Sequence, residues 1–203
     1  SFKPQLAAFL LSGLYYTAKK FHPYKSIGLK KLIPQIKTED KPGAGTWPAI
    51  WMLGANINTV GWLACREIDI MKQKGWDKNT ISAAFTTYQA EKTENTKETS
   101  VTGSTTGFHV YAVNWTPEKI EFSVDGMVFY SYNPTVKTNE NWPYTAPQFL
   151  ILNLAMAGSL GGDIPADFTE SKLEIDYVEY PIKKHPRFLK RIIIIYLSLG
   201  FID

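Results

Sequence analysis

The chain has a single cysteine, little net charge and no long apolar run, and each scarcity excludes a class of protein. With only Cys65, neither an intrachain disulfide nor a cysteine cluster for zinc or iron–sulfur ligation can form. The net charge is +3 and the central region has no long basic stretch, so we expect no nucleic-acid partner. The longest apolar run, 192–202, is interrupted by Ser198 and Gly200 and is shorter than the ~20 residues that cross a bilayer, so we expect no membrane partner.

Apolar and aromatic residues are abundant instead. They make up 44% and 14% of the 203 residues, with six tryptophans, which excludes a disordered or solvating chain. A chain of this length fits one domain with a sizeable core. The lone thiol of Cys65 is best interpreted as a small buried hydrophobe.

From Thr46 onward the pattern is strand-like, with short β-branched and aromatic runs separated by Gly, Pro and Asn. Alternation on both sides of Asp125-Gly126 predicts a tight type I′ hairpin over 119–132. The polar stretch 90–106 is typical of an extended hairpin or a solvent loop. No helical period interrupts the strands, which favours an all-β sandwich of two antiparallel sheets. The other predicted strands are 46–53, 66–73, 80–89, 108–115, 148–156 and 172–180.

The two ends of the chain are less regular than residues 43–180, which we predict to be the domain. Residues 1–42 mix Lys, Pro and aromatic residues without a period, and their fold is left open. Within them, Lys3 followed by the apolar stretch 6–14 has the layout of a signal peptide, so we expect a secreted protein. Residues 181–203 pass from a basic segment to an apolar tail. The basic segment is most simply a solvated surface.

Two acidic residues, Glu67 and Asp69, occur in a strand-like segment. On a strand they point to one face, while Ile68 and Ile70 point to the other. The apolar face therefore packs into a core and the acidic face is open. Many ordinary surface strands alternate in the same way, so the pattern alone does not establish a site.

Five tryptophans accompany these acids in the sequence. Trp47 and Trp51 share one face of a predicted strand, and the others are Trp62, Trp76 and Trp115. Flat indole rings suit the apolar C–H faces of sugars, so a tryptophan-lined cleft with acids at its floor suits an oligosaccharide. The alternative is that any of these rings simply fills the core, where tryptophan is often found.

Several motifs in a fixed order resemble glycoside hydrolase family sixteen, in its laminarinase branch (endo-β-1,3-glucanases). These motifs are 45–54 (GTWPAIWMLG), 61–62 (GW), Cys65, 67–71 (EIDIM), 114–117 (NWTP), 120–126 (IEFSVDG) and 174–178 (EIDYV). The resemblance implies a concave β-jelly roll that hydrolyses β-1,3- or mixed β-1,3/1,4-glucans with retention of configuration. The family signature is Glu-x-Asp-x-x-Glu, in which the first Glu is the nucleophile, the Asp orients it, and the last Glu is the acid/base.

By this resemblance Glu67 is the nucleophile and Asp69 its electrostatic assistant, while the acid/base position holds Lys72. An offset of five from Glu67 places residue 72 on the opposite face of a regular strand. The resemblance therefore requires a β-bulge near Met71 to return Lys72 to the cleft.

Lysine is a poor replacement for the acid/base. A retaining glycosidase needs two carboxyl groups, one of which cycles between acid and base. The reference pKa of lysine is ~10.4, and nearby carboxylates favour its charged form. We therefore predict that hydrolysis is severely impaired while some affinity for β-glucan remains.

Two further departures from laminarinases lie near the predicted cleft: Arg66 where glycine is usual, and Thr86 where histidine is common. The resemblance also implies a structural calcium away from the cleft, for which Asp176 is the candidate ligand. We expect no cofactor for catalysis and a monomeric protein.

Three functions remain open at this point. The first is an endo-β-glucanase lineage with an impaired acid/base, and the second is a non-catalytic β-glucan-binding or recognition module. The third is a sandwich without a sugar function. Retention of both Glu67 and Asp69 favours the first, because a purely binding role gives no reason to keep both acids.

Overall fold

The computed structural model describes residues 16–21, 26–35, 45–62, 64–87, 95–182 and 185–200. These residues form twelve strands and two four-residue helices. The strands are β1 Tyr16–Phe21, β2 Ser26–Gln35, β3 Thr46–Gly54, β4 Glu67–Gln73, β5 Thr80–Phe85, β6 Asn95–Ser100, β7 His109–Trp115, β8 Ile120–Val124, β9 Met127–Tyr132, β10 Gln148–Met156, β11 Glu170–Ile182 and β12 His185–Gly200. The helices are α1 Ile57–Val60 and α2 Gly158–Gly161.

The strands build two six-stranded sheets. The first has the order β1-β10-β3-β4-β5-β6 and the second β12-β11-β2-β7-β8-β9. Every neighbouring pair is antiparallel. The predicted all-β jelly-roll sandwich of two antiparallel sheets is confirmed.

The sandwich extends beyond residues 43–180. Strands β1 and β2, from the segment 1–42, pair with β10 and with β11 and β7. Strand β12, from the segment 181–203, pairs with β11. The signal-like stretch 6–14 lies outside the described residues.

The polar stretch 90–106 contributes a strand. Its described part includes β6, which pairs along the whole of β5. The hairpin interpretation is therefore confirmed for residues 95–100, at the edge of the first sheet.

The hairpin of β8 and β9 turns at Asp125-Gly126, as predicted. Both residues have positive φ, 50° and 83°, as a type I′ turn requires. Asp125 also ties the turn to β7, because Oδ1 accepts the backbone N–H of Val110 at 2.7 Å and Oδ2 lies 2.8 Å from Nδ1 of His109.

The core lies between the two sheets. The first sheet supplies aliphatic side chains such as Ile50, Ile68 and Leu152, and the second supplies larger rings such as Trp115 and Phe122. Burial of this apolar surface is the main favourable term in folding. No helix among the described residues is long and apolar enough to cross a membrane.

Strand β4 carries a β-bulge at Ile70 and Met71. On β3 the adjacent residues Ile50 and Trp51 pair with Met71 and Asp69, which skips Ile70. Opposite β5 the pairing likewise shifts between Asp69 and Lys72. The bulge predicted near Met71 is confirmed.

Candidate active site

The bulge brings Glu67, Asp69 and Lys72 to one face of β4. Their partners on β3 are Leu53, Trp51 and Ala49, whereas Ile68 and both bulge residues are buried in the core. An extra residue in one strand shifts the side-chain alternation by one position, so an offset of five returns to the starting face. The structure therefore places the three predicted catalytic residues together on the outward face of the first sheet.

The carboxylate of Glu67 is engaged at both oxygens. Oε2 accepts a 2.9 Å hydrogen bond from the indole N–H of Trp62. Oε1 accepts a 3.2 Å hydrogen bond from Nζ of Lys72. These contacts fix the orientation of the carboxylate, and hydrogen bonds to a charged group are stronger than neutral ones.

Lys72 forms an ion pair with both acids. Its Nζ lies 2.6 Å from Oδ2 of Asp69 and 3.2 Å from Oε1 of Glu67. The Lys72 side chain is itself largely covered, and both carboxylates are almost fully buried. Two carboxylates therefore share one ammonium at the position where the resemblance implies an acid/base.

Asp69 is the most deeply buried of the three residues, with 1% of its surface exposed. Burial, and then the neighbouring charge of Glu67, raise the pKa of Asp69 well above its ordinary value, and Lys72 offsets this only in part. A raised pKa follows from desolvation because a charged carboxylate loses its hydration.

The backbone of Glu67 is held by Thr86 at the end of β5. The backbone N–H of Glu67 donates to Oγ1 of Thr86 at 2.9 Å, and the backbone N–H of Thr86 donates to the Glu67 carbonyl at 3.1 Å. The Thr86 carbonyl in turn accepts a hydrogen bond from the hydroxyl of Tyr144. Thr86 therefore holds the backbone at the start of β4. None of these three hydrogen bonds involves the carboxylate of Glu67.

Arg66, immediately before Glu67, adopts a left-handed backbone conformation with φ of 69°. Glycine adopts this conformation without strain, whereas other residues incur ~1–2 kcal/mol. The geometry explains why glycine suits this position in laminarinases.

The neighbouring Cys65 is buried as predicted, and burial raises the pKa of its thiol to about 11, which makes it a poor nucleophile.

Four of the five predicted sugar-binding tryptophans are exposed or half-buried. Trp62 and Trp76 are 55% and 52% exposed. Trp47 and Trp51 are half-buried, with indole N–H groups that donate to the Ala157 carbonyl at 3.1 Å and to Oδ1 of Asn153 at 2.8 Å. Trp51 lies opposite Asp69 on the neighbouring strand, so its ring belongs to the same sheet face as the acids.

Trp76 lies beyond the end of β4, beside the segment that contains α2. A Cβ at Gly162 would lie 3.6 Å from Cδ1 of Trp76, and one at Gly161 would lie 3.0 Å from Cδ1 of Trp47. The same short segment therefore lies beside both rings. Nζ of Lys74 lies 4.8 Å from the Trp76 ring centroid, within cation–π range.

Trp115 does not belong to this surface, and its assignment as a sugar-binding residue is wrong. It is 0% exposed and lies in the hydrophobic core. Trp115 ends β7 in the second sheet and lies on the same strand face as the buried Val113 and Tyr111, which places it between the sheets. The sequence left open whether each tryptophan fills the core or lines a cleft. Trp115 fills the core.

Sequence reasoning missed Asn153, Lys74 and Glu98. Asn153 accepts from Trp51, and Lys74 pairs with Glu98 at 2.6 Å while lying over Trp76. Asn153 lies between apolar residues in the interior of β10, and an amide in such a place is the one signal that could have identified it.

The predicted calcium ligand Asp176 lies on β11, in the second sheet. Within the described part of the chain, no three His, Cys, Asp or Glu residues cluster closely enough to hold a metal ion. The described residues thus offer no partner set for Asp176, and calcium binding stays a prediction.

The site is a pair of carboxylates on the outer face of an antiparallel β-sandwich, with indole rings beside them. This arrangement belongs to the class of β-sandwich carbohydrate-active proteins. The sequence matches the glycosyl hydrolases family 16 over residues 16–179. The chain belongs to this family of glycoside hydrolases.

Two of the similar proteins act on or bind β-glucans according to their names. The chain is 33% identical over 157 residues to a beta-glucanase of Rhodothermus marinus, covering 71% of this chain and 54% of the relative. It is 28% identical over 156 residues to a beta-1,3-glucan-binding protein of Penaeus monodon, covering 63% of this chain and 43% of the relative. The chain thus spans about half the length of these curated relatives.

Solved structures support the same fold. A protein of Zobellia galactanivorans, crystallised with laminaritriose and laminaritetraose, is 35% identical and superposes with a TM-score of 0.68. The match covers 82% of this chain and 68% of that chain.

Proposed function

We propose that this chain is a β-glucan-binding member of an endo-β-glucanase lineage, in which Lys72 severely impairs retaining hydrolysis. The substrate class is β-1,3-glucan such as laminarin, or mixed β-1,3/1,4-glucan. The observation that carries the proposal is the ion pair of Lys72 with Glu67 and Asp69 on the outward face of the first sheet.

The retained parts of the site support an enzyme lineage. Glu67 keeps a fixed orientation through Trp62, and a nucleophile benefits from such positioning. Asp69 lies on the same face, held by Lys72. In a retaining mechanism Glu67 attacks the anomeric carbon, and a second carboxyl group protonates the leaving oxygen and later activates water.

Lys72 cannot fill the second role. With two acidic neighbours its ammonium is stabilised in the charged form, so it is a weak acid and cannot accept a proton from water. It also donates a hydrogen bond to Oε1 of Glu67, which lowers the nucleophilicity of that oxygen. General acid–base catalysis is typically worth ~10²–10⁴ in rate, and hydrolysis loses most of this factor.

A non-catalytic glucan-binding or recognition module is the second candidate. The match to a beta-1,3-glucan-binding protein of Penaeus monodon favours it, as does the lysine itself. In either case the exposed rings of Trp62 and Trp76 provide the sugar-binding surface, with Trp47 and Trp51 beside it. We further propose a secreted monomer that needs no cofactor for catalysis.

Calorimetric titration with laminarihexaose tests the proposal, with chromatography of the sugar afterwards. We expect saturable binding and uncut hexaose. Trp62→Ala and Trp76→Ala should each weaken binding about tenfold, because an aromatic platform contributes ~1–3 kcal/mol. Met127→Ala is the matched control: Met127 is an exposed apolar residue of the second sheet. Absence of binding to any β-glucan would overturn the proposal.

A further inference from the structure

A second group of polar and aromatic side chains, Lys74, Trp76 and Glu98, lies beside the first sheet beyond the end of β4. We propose that these residues form a separate sugar-contact site, in which Glu98 accepts hydrogen bonds from sugar hydroxyls and Lys74 positions the ring of Trp76. This inference rests on the proposed function, because the ligand is the same β-glucan.

The register of three strands places Glu98 on the outward face. On β5, Ser82 pairs with Lys72 of β4 and with Glu98 of β6. Directly paired residues of neighbouring strands point to the same face, so Glu98 faces outward as Lys72 does. Two strand spacings separate the backbones of Lys72 and Glu98, about 10 Å in all. Glu98 is therefore a third acidic residue on this face, at the edge of the sheet and away from the carboxylates of β4.

A tight turn after β4 brings Lys74 and Trp76 together. The backbone N–H of Asp77 donates to the Lys74 carbonyl at 3.2 Å, which closes the turn. The backbone N–H of Gly75 donates to the Leu160 carbonyl at 2.8 Å, which anchors the turn to α2. The backbone that carries Trp76 is therefore fixed before a sugar arrives.

The three side chains differ in exposure, and the difference assigns their roles. The side chain of Glu98 is 46% exposed and about half of Trp76 is exposed, so both can touch a ligand. The side chain of Lys74 is only 20% exposed. Its Nζ lies 2.6 Å from Oε1 of Glu98 and 4.8 Å from the Trp76 ring centroid. One ammonium thus holds both of the groups that contact the sugar.

The arrangement suits a neutral, hydroxylated ligand. A carboxylate accepts hydrogen bonds from hydroxyl groups, and an indole face packs against apolar C–H groups. The charges of Lys74 and Glu98 compensate each other, so a charged substituent gains little there. An aromatic ring that is already held in place loses less freedom when a sugar packs on it, which favours binding.

Calorimetric titration with laminarihexaose measures the contribution of each residue. Glu98→Ala should weaken binding about tenfold, because hydrogen bonds to a charged acceptor are lost. Lys74→Met should weaken it about threefold, the scale of an exposed cation–π contact. Lys74→Arg should bind within about twofold of the native chain, because a guanidinium also pairs with carboxylates and stacks on rings.

Lys119→Met is the matched control. Lys119 pairs with Glu121 at 2.7 Å in the second sheet, and its loss should leave the affinity unchanged. Urea midpoints should be nearly the same for all these variants, because exposed ion pairs add little to stability. Losses of affinity that follow losses of stability would show a merely structural role and refute the site.

Double variants separate positioning from direct contact with the sugar. If Lys74 acts through the ring of Trp76, Lys74→Met should have no further effect in a Trp76→Ala background. It should keep its full effect in a Trp62→Ala background, because Trp62 contacts Glu67 at the start of β4. A full effect of Lys74→Met without the Trp76 ring refutes the positioning role.

The contact role of Glu98 has its own double variant. Glu98→Ala should still weaken binding in a Lys74→Met background, because Glu98 touches the sugar itself. No further loss there refutes this contact. If laminarihexaose binds the native chain, Lys74→Met and Glu98→Ala equally well, the second site is refuted and glucan binding stands. If it does not bind the native chain, both proposals fail.

Discussion

The indole N–H of Trp62 donates a 2.9 Å hydrogen bond to Oε2 of Glu67, five residues further along the chain. The other oxygen of the same carboxylate accepts from Lys72. Under the proposed function, the first contact orients the nucleophile, whereas the second occupies one of its oxygens. The proposed site therefore combines a carboxylate oriented for attack on a sugar with a cation that opposes the attack.

The bond from Trp62 should matter for catalysis once an acid/base is present. In a Lys72→Glu background, Trp62→Phe keeps an aromatic ring but removes the N–H donor. We expect kcat on laminarin to fall about tenfold, because a hydrogen bond to a charged group is worth ~1.5–3 kcal/mol. Steady-state kinetics measure the effect.

The comparison variant is Trp76→Phe in the same background. None of the hydrogen bonds described above joins the Trp76 indole to Glu67. Trp76→Phe should therefore change kcat little, and any effect should appear in KM. Equal losses of kcat in both variants would contradict the assigned role of Trp62.

The raised pKa of Asp69 gives folding stability a pH dependence. Burial and the charge of Glu67 raise the pKa of Asp69 well above its ordinary value, so the folded protein binds more protons than the unfolded chain between the unfolded and the folded pKa. The stability that this contributes is fully present below the unfolded pKa and is lost as pH rises through the folded pKa. Relative to Asp69→Asn, the native chain should therefore become more stable on acidification from pH ~7 to ~5.

Urea unfolding of both proteins at several pH values measures this difference. A constant difference in the free energy of unfolding across the range would show that Asp69 keeps an ordinary pKa in the fold.

Asp125 should contribute to stability in the opposite pH direction. Burial raises its pKa, but the hydrogen bonds from His109 and from the Val110 N–H more than offset this, and the net pKa is lowered. The stability that Asp125 contributes is thus present above its unfolded pKa and is lost as pH falls through the folded pKa. Asp125→Ala should cost about 1–2 kcal/mol at neutral pH, because it removes two hydrogen bonds and places alanine at positive φ.

Asp125→Asn is the milder variant, since asparagine tolerates positive φ and keeps an acceptor oxygen. It should retain most of the stability in urea unfolding. Equal urea midpoints for the native chain and Asp125→Ala would disprove that Asp125 stabilises the fold through this turn.

Short-range patterns predicted much of the fold from sequence. Alternation around Asp125-Gly126 predicted the hairpin. The bulge near Met71 was implied by the family resemblance, because a regular strand with an offset of five would place Lys72 on the face opposite Glu67. Strands β1 and β2 were missed because residues 1–42 show no clear alternation, and only pairing with distant strands reveals them. Strand pairing of this kind depends on tertiary contacts more than on local preference.

Only part of the candidate site could be predicted from the sequence. A strand pattern states which residues of one strand share a face, so Glu67 could be grouped with Asp69, and Trp47 with Trp51. It does not state which face is inward, and Trp115 was misassigned for that reason. The pairs Lys74–Glu98 and Trp51–Asn153 join residues distant in sequence, and no local pattern predicts which partner each residue takes.

Laminarin hydrolysis by the native chain and by Lys72→Glu, measured side by side as release of reducing sugar, tests the central claim most directly. Lys72→Gln serves as the control, because it removes the ion pair without supplying an acid. We expect Lys72→Glu to exceed both other proteins by ~10²–10⁴ in rate. Turnover by the native chain within tenfold of Lys72→Glu would contradict the claim that Lys72 disables the acid/base.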